Sequence, residues 1–137
     1  MKINIVYYSA TGNTEMMAQH MYEVLSDQDH DVQMIPVEDV EISEALDCEL
    51  IILGSPAMAG EQMEEYEFRP FFNEILPNLS DKKVIIFGSY DWGEAEWLSN
   101  WEEELNEVGI TPLFKFAAML DPQEEDYNIM TESLHSL

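Results

Sequence analysis

Apolar and polar positions fall along this chain in blocks whose periods predict alternating strands and helices. Ile3 to Tyr8 is a β-branched and aromatic run, the pattern of a strand. It breaks at Ser9-Ala10-Thr11-Gly12-Asn13-Thr14, after which Met16, Met17, His20, Met21, Val24 and Leu25 recur at helical spacing. Asp31 to Val37 is a weaker strand, and Pro36, with no N–H to give a ladder, places it at a sheet edge. Glu49 to Gly54 and Lys83 to Gly88 are continuous apolar runs, the signature of strands buried on both faces. Phe68 to Leu76 predicts a short helix, with Pro70 tolerated in its first turn. In Glu94 to Val108 the residues Trp97, Leu98, Trp101 and Leu105 share one helical face and carboxylates occupy the other. Gly109 ends that helix, and Ile110 to Phe116 reads as a fifth strand. Pro122 then precedes a last acidic helix carrying Tyr127, Met130 and Leu134.

Five strands alternating with helices predict an α/β fold: an open parallel sheet covered on both faces. No repeat, linker or low-complexity stretch interrupts it, so residues 1–137 are expected to form a single domain. Ligands of such sheets sit outside the carboxyl ends of the strands, at the switch point of the topology. The segments after strands one, three and four are therefore expected to converge: Ser9 to Thr14, Ser55 to Gln62, and Ser89 to Gly93.

Charge narrows the partners. Twenty-nine Asp and Glu stand against five Lys and Arg, a formal net charge of −24. Neutralising phosphates needs a basic face, so non-specific nucleic-acid binding is excluded, and anionic lipid is disfavoured. A partner sensing this protein at long range is expected to be basic, with salt-sensitive steering. The single cysteine, Cys48, allows neither an intramolecular disulfide nor a cysteine-rich metal site, and reads as a small buried residue. Runs such as Leu50 to Leu53 are too short to span a bilayer, and Met1 to Ile5 enters a strand pattern with no signal peptide. A soluble, cytoplasmic monomer is expected. His20, His30 and His135 need only core or surface roles, and no nucleophile or acid–base set stands out.

The three loops are chemically distinctive. The first has three hydroxyls, a glycine and an asparagine, and opens into a helix. Its N–H groups form an anion cradle, to which Ser9, Thr11 and Thr14 can add hydroxyl donors. No lysine is present, so it is not the nucleotide loop of GxxxxGK[ST] form. Taken alone, such a turn is more often a helix cap than a site. Met58, Tyr90 and Trp92 shift that balance. A thioether and two rings in turns suit a flat aromatic ligand, although Trp92 alone could fold back as core.

Ser9-x-Thr11-Gly12-Asn13-Thr14-Glu15, the Ala57-Met58 turn ending in Glu61, and Gly88-Ser89-Tyr90-x-Trp92-Gly93 together resemble the short-chain flavodoxins of the clostridial kind. The likeness runs nearly the full length, Phe68-x-Pro70-Phe71 included. It implies a doubly wound five-stranded parallel sheet of order 2-1-3-4-5, for which flavodoxins are themselves the standard example. It also implies non-covalently bound FMN. Ser9, Ala10, Thr11, Gly12, Asn13 and Thr14 would wrap the phosphate. Met58 would lie on the inner face of the isoalloxazine and Trp92 on the outer, with Tyr90 beside it. Glu61 would accept from the ring N3–H, and Ser89 and Gly93 would line the rim.

Relatives commonly read Met-Gly-Asp-Glu where this chain has Met58-Ala59-Gly60-Glu61. A type II turn wants φ > 0 at its third position, which suits Gly60 and tolerates Ala59 before it. The Ala59 carbonyl is then expected to face the flavin N5 when that atom carries a proton, separating the two one-electron steps. Asp91 adds a charge where relatives often have Gly. Pro56 removes an N–H donor beside Ala57.

The same resemblance implies a low-potential one-electron carrier between redox enzymes, with basic reductases and acceptors as partners. A carboxylate about 10 Å from the ring would oppose its second reduction by roughly 0.4–1.7 kcal/mol, on the order of 20–70 mV. Glu61, Glu64, Glu65, Glu67, Asp91, Glu94 and Glu96 flank the ring loops and are the candidates. Glu124 to Asp126 read as a solvated face. The alternatives are an FMN-dependent NAD(P)H or quinone reductase, for which a chain of 137 residues leaves little room, and a flavoprotein activator of a larger enzyme. A signalling receiver domain would need a phosphorylatable Asp after strand three and a Lys after strand five. Gly54-Ser55-Pro56 and Ala117-Ala118-Met119 stand there instead.

Overall fold

The computed structural model describes residues 1–137. In chain order the elements are β1 (Lys2–Tyr7), α1 (Asn13–Asp27), β2 (Asp31–Pro36), α2 (Ile42–Leu46), β3 (Leu50–Gly54), α3 (Phe68–Ile75), β4 (Lys83–Tyr90), α4 (Glu96–Glu107), β5 (Phe114–Met119) and α5 (Glu124–Leu134). All four strand pairings are parallel and the sheet order is β2-β1-β3-β4-β5, so the expected topology is correct. Pro36 ends β2 at the sheet edge. No helix is long and apolar enough to cross a membrane.

Alternation along the inner strands builds two cores, one on each face. Ile3, Ile5, Leu50, Ile52, Ile85 and Phe87 face α1 and α5, where Met17, Met21, Leu25, Met130 and Leu134 cover them. Val6, Ile51, Leu53, Val84 and Ile86 point the other way, onto Phe68, Phe72, Trp97 and Trp101 of α3 and α4. Phe68 and Phe72 meet the Trp101 ring edge-on, with centroids 5.3 and 5.9 Å apart. Continuous apolar runs are what a strand needs when both of its faces are dry.

Two readings need correction. The fifth strand begins at Phe114, not Ile110, and continues to Met119. Pro112 lies within the apolar run and has no N–H to donate. Leu113 N gives the first bond to the sheet, to Val84 O at 2.8 Å, and the register with β4 starts at Ile85 opposite Phe114. The five-residue α2 had no predicted counterpart. Its Ala45 is buried, and the Glu44 and Ala45 carbonyls accept from the Asn4 side chain at 2.9 and 3.1 Å. Cys48 is only half-buried. Its thiol donates to Ala45 O at 3.4 Å, and burial pushes its pKa up.

Candidate functional site

The parallel order brings the carboxyl ends of β1, β3 and β4 side by side, and the three loops that follow them meet as expected. The first leaves β1 at Tyr7 and enters α1 at Asn13. Ser9 Oγ accepts from the N–H of Gly12 and of Glu15, both at 3.2 Å, so the serine is in part a helix cap. The N–H groups of Ala10, Thr11, Asn13 and Thr14 have no acceptor within the chain. Four free donors at the positive end of a helix dipole have the chemistry to hold an anion. Thr14 departs from its expected role. Its side chain is buried, its Oγ1 is 2.9 Å from Ser89 Oγ and accepts from Ser89 N at 3.3 Å. The Thr14 hydroxyl therefore joins the first loop to the third. Beneath them the Tyr7 hydroxyl donates to Glu15 Oε1 at 3.0 Å; burial first, and then this carboxylate, pushes the phenol up to about 12.

In the second loop Glu61 N donates to Met58 O at 3.2 Å, and Gly60 has φ +79° while Ala59 keeps an ordinary negative φ. Those signs, with the closing bond, define a type II turn. Met58 N donates to Gln62 O at 2.8 Å, closing the turn at its base. Ala57 N reaches across to Ser89 O at 2.9 Å. Glu61 turns away toward α4, whose Trp97 N–H donates to Glu61 Oε2 at 3.2 Å. That leaves its other oxygen, Oε1, beside Gly93.

A cleft of about 260 Å³ lies among the loops, lined by Ala10, Thr11 and Asn13, then Pro56, Ala57 and Met58, then Ser89, Tyr90 and Asp91. Nine predicted residues from three separate segments thus share one wall. Trp92 is not in that lining and stands 63% exposed, so it does not fold back as core. Tyr90 has a divided role, lining the cleft while its ring packs on Trp97 with centroids 5.6 Å apart. Met58 is 40% exposed at the cleft, where an apolar side chain has no core to join. Leu120 also lines the cleft and was not predicted. Placing the fifth strand four residues too early left its carboxyl end, and hence this residue, out of the converging loops.

The donor set fits a phosphorylated planar ring. Free backbone N–H groups suit the phosphate, and a cleft walled by Met58, Tyr90, Pro56 and Leu120 suits an aromatic face. The cleft is small for a ligand site. No lysine or arginine lines it. Lys2, Arg69, Lys82 and Lys115 sit beside Asp47, Glu104, Asp81 and Glu102 respectively. Of the seven flanking acids, Glu64 alone is buried, and three N–H groups bind its carboxylate. It is a fixed internal group and not one of the solvated charges around the cleft.

Comparison with known proteins gives the family. The sequence profile of the family described as Flavodoxin matches residues 5–131. The flavodoxin of Clostridium beijerinckii is 46% identical over 115 residues, covering 81% of this chain and 83% of that one. The flavodoxin of Megasphaera elsdenii is 38% identical over 109 residues, 80% of each. The solution structure of the two-electron reduced Megasphaera elsdenii flavodoxin superposes with a TM-score of 0.85 at 33% identity, over 97% of this chain and 98% of that one. With a profile match over residues 5–131 and relatives at 46% and 38% identity, the chain belongs to the flavodoxin family, whose members are FMN-binding electron carriers and not substrate-converting enzymes.

Proposed function

We propose that this carrier works at low potential, with FMN held across the three loops and its ring edge open to partner proteins. The observation that carries the assignment is the convergence of unpaired N–H groups of the first loop and the Met58 turn on one cleft, which Ala10, Thr11, Asn13 and Met58 line. FMN bound there supplies the one-electron chemistry. The N–H groups of Ala10, Thr11, Asn13 and Thr14 hold its phosphate, assisted by the Ser9 and Thr11 hydroxyls, with Gly12 turning the chain between them. Met58 covers one ring face and the exposed Trp92 the other, with Pro56, Ala57 and Tyr90 walling the cleft. The Glu61 carboxylate, steadied by the Trp97 N–H, accepts from N3–H with its remaining lone pairs. Ser89 and Gly93 border the rim. Asp91 and the exposed acids nearby oppose the gain of negative charge, which lowers the potential.

The Ala59 carbonyl would be the acceptor for a hydrogen bond from the flavin N5. Gly60 makes this possible, because a turn with the carbonyl so presented needs φ > 0 at the following residue. A Cβ at Gly60 would meet no atom within 4 Å, so Gly60→Ala tests conformation without a clash. An L-residue in that region costs roughly 1–2 kcal/mol, on the order of 40–90 mV in a one-electron couple. Anaerobic stepwise reduction, followed by visible absorption, should resolve two one-electron steps in the native protein. Gly60→Ala should bring their potentials closer together. Unchanged potentials would overturn the role of the turn.

The partners on this reading are basic redox proteins, drawn by the net charge of −24 to an acidic rim. The protein acts as a cytoplasmic monomer.

A further inference from the structure

Glu64 is the one charged side chain buried in this acidic protein, with 2% of its surface exposed. Burying a carboxylate costs several kcal/mol unless its lone pairs are met. Here they are. Oε1 accepts from Glu67 N at 2.7 Å and Phe68 N at 2.8 Å, and Oε2 accepts from Tyr66 N at 2.9 Å. The Glu64 backbone is held as well. Its N–H donates to Ser55 Oγ at 2.9 Å and its carbonyl accepts from Arg69 N at 2.9 Å. Ser55 is fully buried and fixed from two sides, through its N–H to Phe87 O at 3.1 Å and through its carbonyl, which accepts from Trp97 Nε1 at 3.1 Å.

Ser55 thus belongs to the sheet and α4, Glu64 belongs to α3, and the bond between them closes the segment 55–64 into a ring. Inside that ring lies the Met58–Glu61 turn. Capping α3 alone would not require this arrangement, because a Ser, Thr or Asp at position 67 could supply a local cap. Glu67 occupies that position and makes no side-chain cap bond. We infer that Glu64 and Ser55 are positioning residues for the cofactor turn: the buried carboxylate anchors one end of the Met58–Glu61 loop to α3, and the serine anchors both ends to the sheet. This inference rests on the assignment of that turn to the flavin.

Glu64→Gln keeps the shape and removes one acceptor site; Ser55→Ala keeps the carboxylate and cuts the bond that closes the ring, together with the local bond from Ser55 Oγ to Pro56 O at 3.0 Å. Hydrogen exchange is read on the apo-protein, and FMN affinity and both potentials on the reconstituted one. Glu64→Gln should speed exchange at Tyr66, Glu67 and Phe68, and also at Met58, whose N–H closes the turn. It should raise the FMN dissociation constant about tenfold, as loss of one charge-assisted hydrogen bond does, and move the same couple as Gly60→Ala. Ser55→Ala should give the same pattern to a smaller degree, and it carries the test if Glu64→Gln fails to fold. Faster exchange confined to residues 66–68, with Met58, the affinity and the potentials unmoved, would make Glu64 a helix cap and no more. If Gly60→Ala shifts the potentials and neither variant does, the positioning inference fails alone. If none of the three shifts them, the turn assignment fails first.

Discussion

Gly88 shows how closely the site is built against its support. A Cβ there would lie 2.0 Å from Ser55 O and 2.9 Å from the Trp97 ring. The first neighbour is backbone and the second is a buried ring that donates to that same carbonyl, so neither can yield cheaply. Gly88→Ala should destabilise the apo-protein by about 1–3 kcal/mol, the range for overpacking a dense interior. The check is a lower urea midpoint at unchanged slope. FMN binding should weaken as well, since Ser55 begins the loop that carries Met58. Glu64 and Gly88 act on the loop from opposite sides, the first by what it bonds and the second by the side chain it lacks.

Among the elements, the α1–α5 pair carries a group that responds to pH. His20 on α1 places Nε2 3.2 Å from Tyr127 O and 2.8 Å from Thr131 Oγ1, with its ring 4.6 Å from the Tyr127 ring. Burial lowers its pKa below 6.5, more than the Tyr127 carbonyl and Glu23 raise it. A lowered folded-state value means that the unfolded chain binds the proton more readily. The resulting stability is present above pH 6.5 and is lost as pH falls through the folded-state value. The measurement is made as a difference, so that other pH effects cancel. The stability gap between the native protein and His20→Gln should narrow as pH falls from about 7.5 to 5.5. A gap constant across that window would show that His20 titrates alike in both states.

At the scale of the whole molecule the charge is uneven as well as large. Lys2 and Lys83 begin β1 and β4, Lys82 precedes β4, and the amino group of Met1 donates to His30 Nδ1 at 3.0 Å. These positive groups gather at the amino ends of the strands, opposite the cleft. The acids around the loops form no ion pair with a cation, so on the proposed reading the field would turn the cleft end toward a basic partner. Self-repulsion at −24 also opposes compaction. Raising salt from about 0.01 to 1 M shortens the Debye length from roughly 30 to 3 Å. The apo-protein should therefore melt higher in salt, by about 4 °C for each kcal/mol of repulsion removed. Association with a basic partner should slow over the same range. A melting temperature flat in salt would mean that the charges are too solvated to strain the fold.

The five strands and four of the five helices, the two-sided burial of the central strands, and the three segments that converge at the cleft were legible in the sequence. Those follow from periodicity and from turn residues, which are local properties. Nine of the cleft residues were legible for that reason, and Leu120 was lost only because Pro112 displaces the start of β5 within an apolar run. Tertiary structure alone decided which acid is internal. Glu61, Glu64, Glu65 and Glu67 look alike in a row of carboxylates. Only the meeting of Glu64 with Ser55, nine residues away and fixed to the sheet, buries one of them. The same holds for Thr14, whose partner Ser89 lies 75 residues along the chain, and for Glu61, whose carboxylate takes the Trp97 N–H of a helix that begins 35 positions later. Periodicity tells which face of an element is dry; which polar group is then enclosed, and by what partners, depends on contacts between elements distant in sequence.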